Sequence, residues 1–206
     1  MSFSDLRAKA DRYYSRTVAE HGPTPRGVDW NSLESQTLRY DQLLKILEGR
    51  ARSRLLDYGC GYGGLLDHMT RLGLDVAYHG FDSSEAMIAQ ATAHHVARPS
   101  PFTKDDSSLV PTDYVVASGV FNVKLDTPEA SWHEYMLEVV DRVAALALKG
   151  FAFNALSLYS DADKRRADLH YADALFWFDH CKRRYSRFVS LLHDYPLYEF
   201  TILVRR

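Results

Sequence analysis

Cysteine is scarce in this chain: there are only two in 206 residues, Cys60 and Cys181. Two cysteines cannot build the disulfide framework of a small secreted protein, and this pair lacks metal-ligand spacing. No apolar run approaches the ~20 residues needed to span a bilayer. Residues 1–16 contain no apolar core of a signal peptide. We therefore expect a cytoplasmic protein with no bound metal and no membrane partner.

An excess of positive charge is also absent. The chain has 25 lysine and arginine residues against 27 aspartate and glutamate residues. Nucleic-acid binding needs a basic surface that neutralises phosphates, so the composition predicts no nucleic-acid partner. Hydrophobic residues make up 46% of the chain, which is enough for a normal core. The length predicts a single domain over residues 1–206. A monomer or a homodimer is expected, and the sequence does not decide between them.

The N-terminal part, residues 1–50, is predicted to be helical and to form a lid on a core over residues 51–206. Residues 4–19 form a polar helix with aromatic insertions, and residues 21–27 form a Gly/Pro loop. Leucine spacing predicts a second helix over residues 32–48.

From residue 52 onward, the pattern alternates between strands and helices, which predicts a mostly parallel, doubly wound α/β sheet. The last two strands are joined by Asp194-Tyr195-Pro196 alone, so they must be antiparallel. One edge of the sheet is therefore expected to carry a reversed strand. The predicted strands cover residues 53–58, 75–81, 102–103, 113–118, 150–155, 187–193 and 197–204, and the helices cover 64–72, 84–94, 128–146 and 169–181.

A glycine-rich segment follows the first predicted strand, with Gly59, Gly61 and Gly64 in the spacing G-x-G-x-x-G. Glycine lets the backbone turn sharply and approach a ligand closely, so the segment predicts a nucleotide-cofactor loop. The spacing alone fits both NAD(P) and S-adenosylmethionine. Asp57 at the end of the strand favours S-adenosylmethionine, because a carboxylate repels a pyrophosphate but not an ammonium group. The N-terminal extension and the antiparallel C-terminal hairpin favour the same cofactor.

Three segments together resemble class I S-adenosylmethionine-dependent methyltransferases of the small stand-alone bacterial type. Residues 55–63 resemble motif I, residues 78–88 the second-strand motif and residues 113–122 the fourth-strand motif. The resemblance extends from about residue 30 to the C-terminus. It implies a Rossmann-like, seven-stranded sheet with an antiparallel C-terminal edge strand. It also implies S-adenosylmethionine as cofactor and S-adenosylhomocysteine as product.

The resemblance assigns roles to residues that follow the strands. Asp82 would accept hydrogen bonds from both ribose hydroxyls, although an Asp-Ser-Ser sequence also caps helices. Met87 would pack on the adenine face or simply in the core. Asp105 or Asp106 would accept a hydrogen bond from the adenine amino group, unless both are solvated loop acids.

Aromatic and polar residues of the N-terminal extension would complete the cofactor site. Tyr14 and Trp30 would attract the sulfonium through cation–π contacts, or else dock the lid on the sheet. Gln36 and Arg39 share a helix face, and Arg39 would pair with the cofactor carboxylate or lie exposed. The cofactor-binding residues expected are Tyr14, Trp30, Gln36, Arg39, Asp57, Gly59, Cys60, Gly61, Asp82, Ser83, Met87, Asp105, Asp106, Ser118, Gly119 and Val120.

The acceptor side is defined less sharply by the sequence. Substrate contacts are expected from Tyr14, Asn122, Asn154 and Tyr159. His133 and His193 are candidate general bases, but the catalytic residues stay unassigned. The function expected is methyl transfer to a small-molecule acceptor at oxygen or nitrogen, mainly by positioning. The alternatives are an NAD(P)-binding oxidoreductase and a non-catalytic cofactor-binding protein.

Overall fold

The computed structural model describes residues 2–47, 52–96 and 100–206. Its N-terminal part consists of two helices, α1 over Phe3–His21 and α2 over Leu33–Leu44, joined through a 3-10 turn at Pro25–Val28. Helix α2 ends earlier than expected, and a 3-10 turn over Lys45–Leu47 follows it. Glu48 and the expected boundary at residues 50 and 51 lie outside the described residues.

The helices begin where the sequence supplies caps. The Ser2 hydroxyl accepts from the Asp5 N–H, and the Asp5 carboxylate accepts from the Ser2 N–H, which is a complete capping box. Ser32 caps α2 through the Ser35 N–H. The remaining helices are α3 over Gly64–Arg71, α4 over Glu85–His94, α5 over Glu129–Leu146 and α6 over Ala174–Arg184.

The strands form one seven-stranded sheet, in the order β3-β2-β1-β4-β5-β7-β6. The strands from β3 to β5 in this order are parallel to their neighbours, and β7 is antiparallel to both β5 and β6. Their bounds are β1 Ser53–Tyr58, β2 Val76–Phe81, β3 Phe102–Thr103, β4 Thr112–Ala117, β5 Ala147–Leu156, β6 Phe188–Leu192 and β7 Glu199–Arg205.

The mostly parallel sheet with a reversed C-terminal strand is confirmed, but the reversed strand is not at the edge. Strand β7 lies between β5 and β6, so β6 forms the edge. Burial explains the choice. Residues 199–204 of β7 are all buried, whereas all five residues of β6 are at least partly exposed. The strand whose residues are buried on both faces therefore takes the interior position, and the partly exposed strand forms the edge.

The helix predicted over residues 169–181 is wrong in its first turn. Helix α6 begins at Ala174, where the Asp173 carboxylate accepts from the N–H groups of Leu175 and Phe176. The preceding segment pairs with other backbone instead: the N–H of His170 donates to the Asn122 carbonyl, and that of Ala172 to Leu156. This segment thereby crosses the carboxyl ends of β4 and β5.

Both faces of the sheet are covered by helices, as a doubly wound fold requires. Alternate residues of β1 face opposite sides: Leu55 packs in the cluster that includes α2 and α3, and Leu56 in the cluster that includes α5 and α6. Within the described residues, no helix is long and apolar enough to cross a membrane.

Candidate active site

A first cavity opens at the carboxyl ends of β1, β2 and β4, beneath α1. In a doubly wound sheet this edge, where the chain leaves the strands in opposite directions, is the usual place for a ligand. The cavity is lined by Phe3, Arg7, Ala10, Asp11, Tyr14, Val28, Trp30, Gln36, Tyr40, Asp57, Tyr58, Gly59, Cys60, Gly61, Tyr62, Phe81, Asp82, Ser83, Met87, Ser118, Gly119, Val120 and Tyr135.

The glycine loop forms the floor of this cavity. Gly59 and Gly61 have φ angles of 86° and 54°, the left-handed region that favours glycine. A Cβ atom at Gly59 would lie 2.6 Å from Val120 Cγ2. The loop is anchored because the N–H groups of Gly59 and Cys60 both donate to the Phe81 carbonyl, at 2.7 and 2.9 Å. The backbone at Gly59 can therefore pass close to both Val120 and a ligand.

Asp57 presents an unsatisfied carboxylate oxygen at the end of β1. One oxygen accepts from the Tyr78 hydroxyl at 2.9 Å, and the other, Oδ1, is buried with no hydrogen-bond partner among the described residues. Burial raises the pKa of Asp57 to about 7. A buried, unpaired carboxylate is costly unless a cationic group pairs with it. Asp57 therefore suits a ligand with an ammonium group and does not suit a pyrophosphate.

Asp82 joins the glycine loop to the start of α4. Its two oxygens accept from the N–H groups of Gly61 and Ser84, each at 2.9 Å. The N-cap of α4 is Ser84, so the alternative that Asp82 itself caps this helix is wrong. Burial raises the pKa of Asp82 to about 6. An ionised carboxylate can accept about four hydrogen bonds, so each oxygen can still accept one from a hydroxyl group.

Helix α1 closes the cavity from above. The Ser83 hydroxyl donates to Asp11, and the Ser15 and Ser84 hydroxyls lie 2.9 Å apart. Arg7, Asp11 and Tyr14 lie three or four residues apart, hence on one face of the helix, and all three line the cavity. Of these three residues, only Tyr14 is among the cofactor residues predicted from the sequence. The spacing along the helix also indicates Arg7 and Asp11.

Other predicted cofactor residues also border the first cavity. Met87 is 1% exposed. Gln36 is held between two tyrosines: its amide accepts from Tyr62 and donates to Tyr40. The Ser118 hydroxyl is buried and has no partner within the described residues. These polar atoms leave hydrogen-bonding capacity along the cavity wall.

Asp105 and Asp106 do not line the cavity, contrary to expectation. The Asp105 carboxylate accepts from the Ser107 N–H in a short turn and is exposed. Asp106 forms ion pairs with Arg142 at 3.3 Å and with Arg7 at 3.9 Å. Local turn chemistry satisfies Asp105, and Asp106 pairs with Arg142 and with Arg7, which itself lines the cavity.

A second cavity adjoins the first at the carboxyl ends of β4 and β5. Tyr14, Val28, Trp30 and Gly119 line both cavities. The other residues of the second cavity are Asp29, Asn31, Arg39, Asn122, Val123, Leu156, Ser160, Lys164, Arg166, Leu169, Tyr171, Pro196, Leu197, Tyr198 and Glu199.

Arg39 does not face the first cavity, where its predicted partner would bind. Its guanidinium donates to both oxygens of Glu199 at 2.7–2.9 Å, and it stacks on the Trp30 ring with 3.9 Å between Cζ and the ring centroid. Glu199 is fully buried and also accepts from the side-chain amides of Asn122 and Asn154. The carboxylate partner of Arg39 is therefore part of the protein. An acidic residue directly before the mostly apolar run over residues 200–204 was the sequence signal for Glu199.

Asn154 binds the backbone of Gly119 and does not itself line either cavity. It is fully buried, and its side-chain oxygen accepts from the Gly119 N–H at 2.8 Å. The Trp30 ring then packs on Gly119, where a Cβ atom would lie 2.4 Å from Cζ2. Trp30, Arg39, Glu199, Asn154 and Gly119 therefore form a closed ring of contacts, which we name the junction ring.

Three other predicted residues lie outside both cavities. Tyr159 is 66% exposed and contacts His193, whose ring also packs near Phe200. His133 packs against Phe176 and Trp177 of α6. Tyr159 is therefore not placed to contact an acceptor here, and neither histidine is placed to act as a base. Asn122 does line the second cavity.

Replacing Gly119 with alanine is expected to displace Trp30 and to weaken binding of S-adenosylhomocysteine by about tenfold. The new methyl group would clash with the indole ring, and the φ of 71° adds backbone strain of about 1 kcal/mol. Gly73→Ala is the matched control, because Gly73 has φ 64° but no atom of the described residues within 4 Å of its Cβ position. Calorimetric titration and indole fluorescence measure both effects. Equal behaviour of the two variants would contradict a role for the Gly119–Trp30 contact.

The chain is similar to known proteins of one family. A family model for a methyltransferase domain matches residues 32–188. The Mycobacterium tuberculosis protein named "Putative methyltransferase Rv1506c" is 46% identical over 151 residues, which are 73% of this chain and 91% of that protein. This chain belongs to the methyltransferase-domain family.

Solved structures show the same fold as this methyltransferase-family chain at low sequence identity. The complex named DhpI-SAM-HEP is 16% identical with a TM-score of 0.65, and the match covers 98% of each chain. The magnesium protoporphyrin IX methyltransferase of Synechocystis PCC 6803 with bound SAH is 15% identical, with a TM-score of 0.61 and 84% of each chain covered. The small RNA methyltransferase HEN1 is 17% identical, with a TM-score of 0.60 over 83% of this chain and 25% of that one.

Proposed function

We propose that this methyltransferase-family protein binds S-adenosylmethionine in the first cavity and methylates a small molecule, at oxygen or nitrogen, in the second. The observation that carries the proposal is the buried, unpaired Oδ1 of Asp57 beside the glycine loop. A buried carboxylate oxygen is stabilised by a cationic partner, and the amino group of the cofactor would provide one. The two solved complexes named above, one with SAM and one with SAH, support the same cofactor.

The lining residues suit the separate parts of this cofactor. Asp57 would hold the amino group, Asp82 the ribose hydroxyls, and Met87 the adenine face. Tyr14 and Trp30 would lie at the sulfonium end, because both line the two cavities. An aromatic ring near a sulfonium contributes about 0.5–2 kcal/mol of attraction.

The junction between the cavities favours catalysis by positioning. When bound, S-adenosylmethionine supplies an already activated methyl group. Of the four residues that line both cavities, only Tyr14 titrates, and burial raises its pKa far above the ordinary value, so it stays neutral. Glu199 is saturated by Arg39, Asn122 and Asn154. The residues at this junction therefore contribute alignment of donor and acceptor, which can supply about 7–11 kcal/mol of the barrier.

Asp82→Ala is expected to weaken binding of S-adenosylmethionine by tenfold or more, because it removes the acceptor for both ribose hydroxyls. Asp105→Ala is the matched control: it removes the same charge near the end of β3, outside the cavity, and should leave affinity unchanged. Isothermal titration calorimetry measures both, with NADH as a competing cofactor. Equal affinity of Asp82→Ala and the unchanged protein would remove this assignment, and tighter binding of NADH would overturn the proposed function.

A further inference from the structure

A cluster of three metal-ligating side chains lies outside both cavities. Asp67 is in the first turn of α3, His94 is the last residue of α4, and His95 follows it. The His94 Nε2 lies 3.0 Å from one oxygen of Asp67, and the His95 Nε2 lies 3.7 Å from the other. One ligand atom from each side chain can be chosen so that all three lie within 4.8 Å of one another.

Ion pairing alone does not account for this arrangement. The His95 Nε2 is buried and has no hydrogen bond of normal geometry among the described residues. Its 3.7 Å separation from Asp67 is too long for a hydrogen bond. Two ligand atoms on a tetrahedral zinc ion, each about 2.0–2.1 Å from the metal, are about 3.3 Å apart. The separations of 3.0 and 3.7 Å, which involve different oxygens of Asp67, lie on either side of that value.

We infer that Asp67, His94 and His95 form a binding site for a divalent transition metal ion of the zinc class. Two imidazoles and one carboxylate suit this class, whereas calcium and magnesium prefer oxygen ligands throughout. Asp67 and His94 are 40% and 42% exposed, so a water molecule can complete the coordination sphere.

The ion would join the two helices that flank the glycine loop. Helix α3 starts directly after Gly63, and a Cβ atom there would lie 2.8 Å from the His95 Nε2. Helix α4 starts beside Asp82, which holds the Gly61 N–H. A metal cross-link between the first turn of α3 and the end of α4 would therefore stabilise the folded protein without entering the cofactor cavity.

Titration of the metal-free full-length protein with zinc chloride tests the site. We expect one ion per chain at micromolar affinity or tighter, a rise in melting temperature, and visible absorption of a tetrahedral type when cobalt(II) replaces zinc. His94→Gln and His95→Gln should each lower the affinity at least ~10-fold. His68→Gln is the matched control, because His68 of α3 pairs with Asp41 at 2.6 Å but has no third metal-ligating side chain beside it in the part of the chain that the structure describes.

His94→Gln keeps the test valid if His95→Gln fails to fold, because His94 is the more exposed of the two. Zinc binding that is equal in His94→Gln, His68→Gln and the unchanged protein would overturn the site. Absence of binding at 100-fold excess of zinc over protein, or tighter binding of magnesium than of zinc, would do the same. None of these readouts depends on the cofactor, so failure here leaves the proposed function standing.

Discussion

Asp57→Asn is expected to abolish cofactor binding while stabilising the ligand-free protein above pH 7. In the folded chain, burial raises the pKa of this carboxyl to about 7, whereas an unfolded chain has an ordinary value near 4. As pH rises from about 4 to 7, the unfolded state loses this proton before the folded state does, so the carboxylate increasingly destabilises the fold. Above pH 7 the full penalty is present. Asparagine removes it and can still accept from Tyr78.

The gain in the free energy of unfolding should be on the order of 4 kcal/mol at pH 8 and clearly smaller at pH 5. Urea titration at both pH values measures it, and calorimetry with S-adenosylmethionine measures the loss of binding. Asp105→Asn, an exposed carboxyl, should change neither quantity. A variant that gains the same stability at pH 5 and pH 8 would contradict the role of ionisation. Such a result would point to altered packing instead.

Glu199→Gln is expected to destabilise the protein by about 3–5 kcal/mol, because it leaves the buried Arg39 guanidinium without its counter-charge. The contacts of the junction ring should weaken as well. Glu199 accepts hydrogen bonds from Arg39, which stacks on Trp30, and from Asn154, which in turn accepts from the Gly119 N–H. We therefore expect weaker binding of S-adenosylhomocysteine and a changed indole fluorescence. Neither Glu199 nor Asn154 lines the cofactor cavity, so both effects would be transmitted through Trp30 and Gly119.

A double-mutant cycle separates the ion pair from general packing. Arg39→Met with Glu199→Gln should be less destabilised than the sum of the two single variants, because no unpaired charge stays buried. The surface pair of Arg184 and Asp141 has similar geometry, at 2.7 and 2.8 Å, but is 42–54% exposed. Its disruption should cost far less stability than disruption of the buried pair, because solvent screens exposed charges. Simple additivity at Arg39 and Glu199 would rule out coupling between them.

Local patterns were sufficient for most of the secondary structure. The short apolar run over residues 53–58, which ends in the glycine loop, predicts a strand. Strand β1 has the predicted bounds. Ser32 and Ser84 mark helix starts that the structure keeps. The misplaced start of α6 arose because residues 169–172 use their backbone to pair with distant loops and strand ends. Such pairing leaves no trace in helical periodicity.

Positions at strand ends were also predictable, since the carboxyl ends of parallel strands meet at one edge. Asp57, Gly59 and Asp82 therefore line one cavity, as the strand pattern predicts. Side chains on loops were not predictable in this way. Asp106 turns toward Arg142, which lies in a helix 36 residues away in sequence. The direction of a loop side chain depends on which partner the folded chain brings near it.

The sequence by itself determined the mostly parallel sheet, the glycine loop and the acidic residues beside it, because all of these follow from local spacing. Only the tertiary structure decided the partner of Arg39, which is Glu199, 160 residues away. It also decided that β7 is internal and that Asp67 meets His94 and His95. Each of these depends on packing between elements distant in the chain, where several partners satisfy the same local pattern and burial selects one of them.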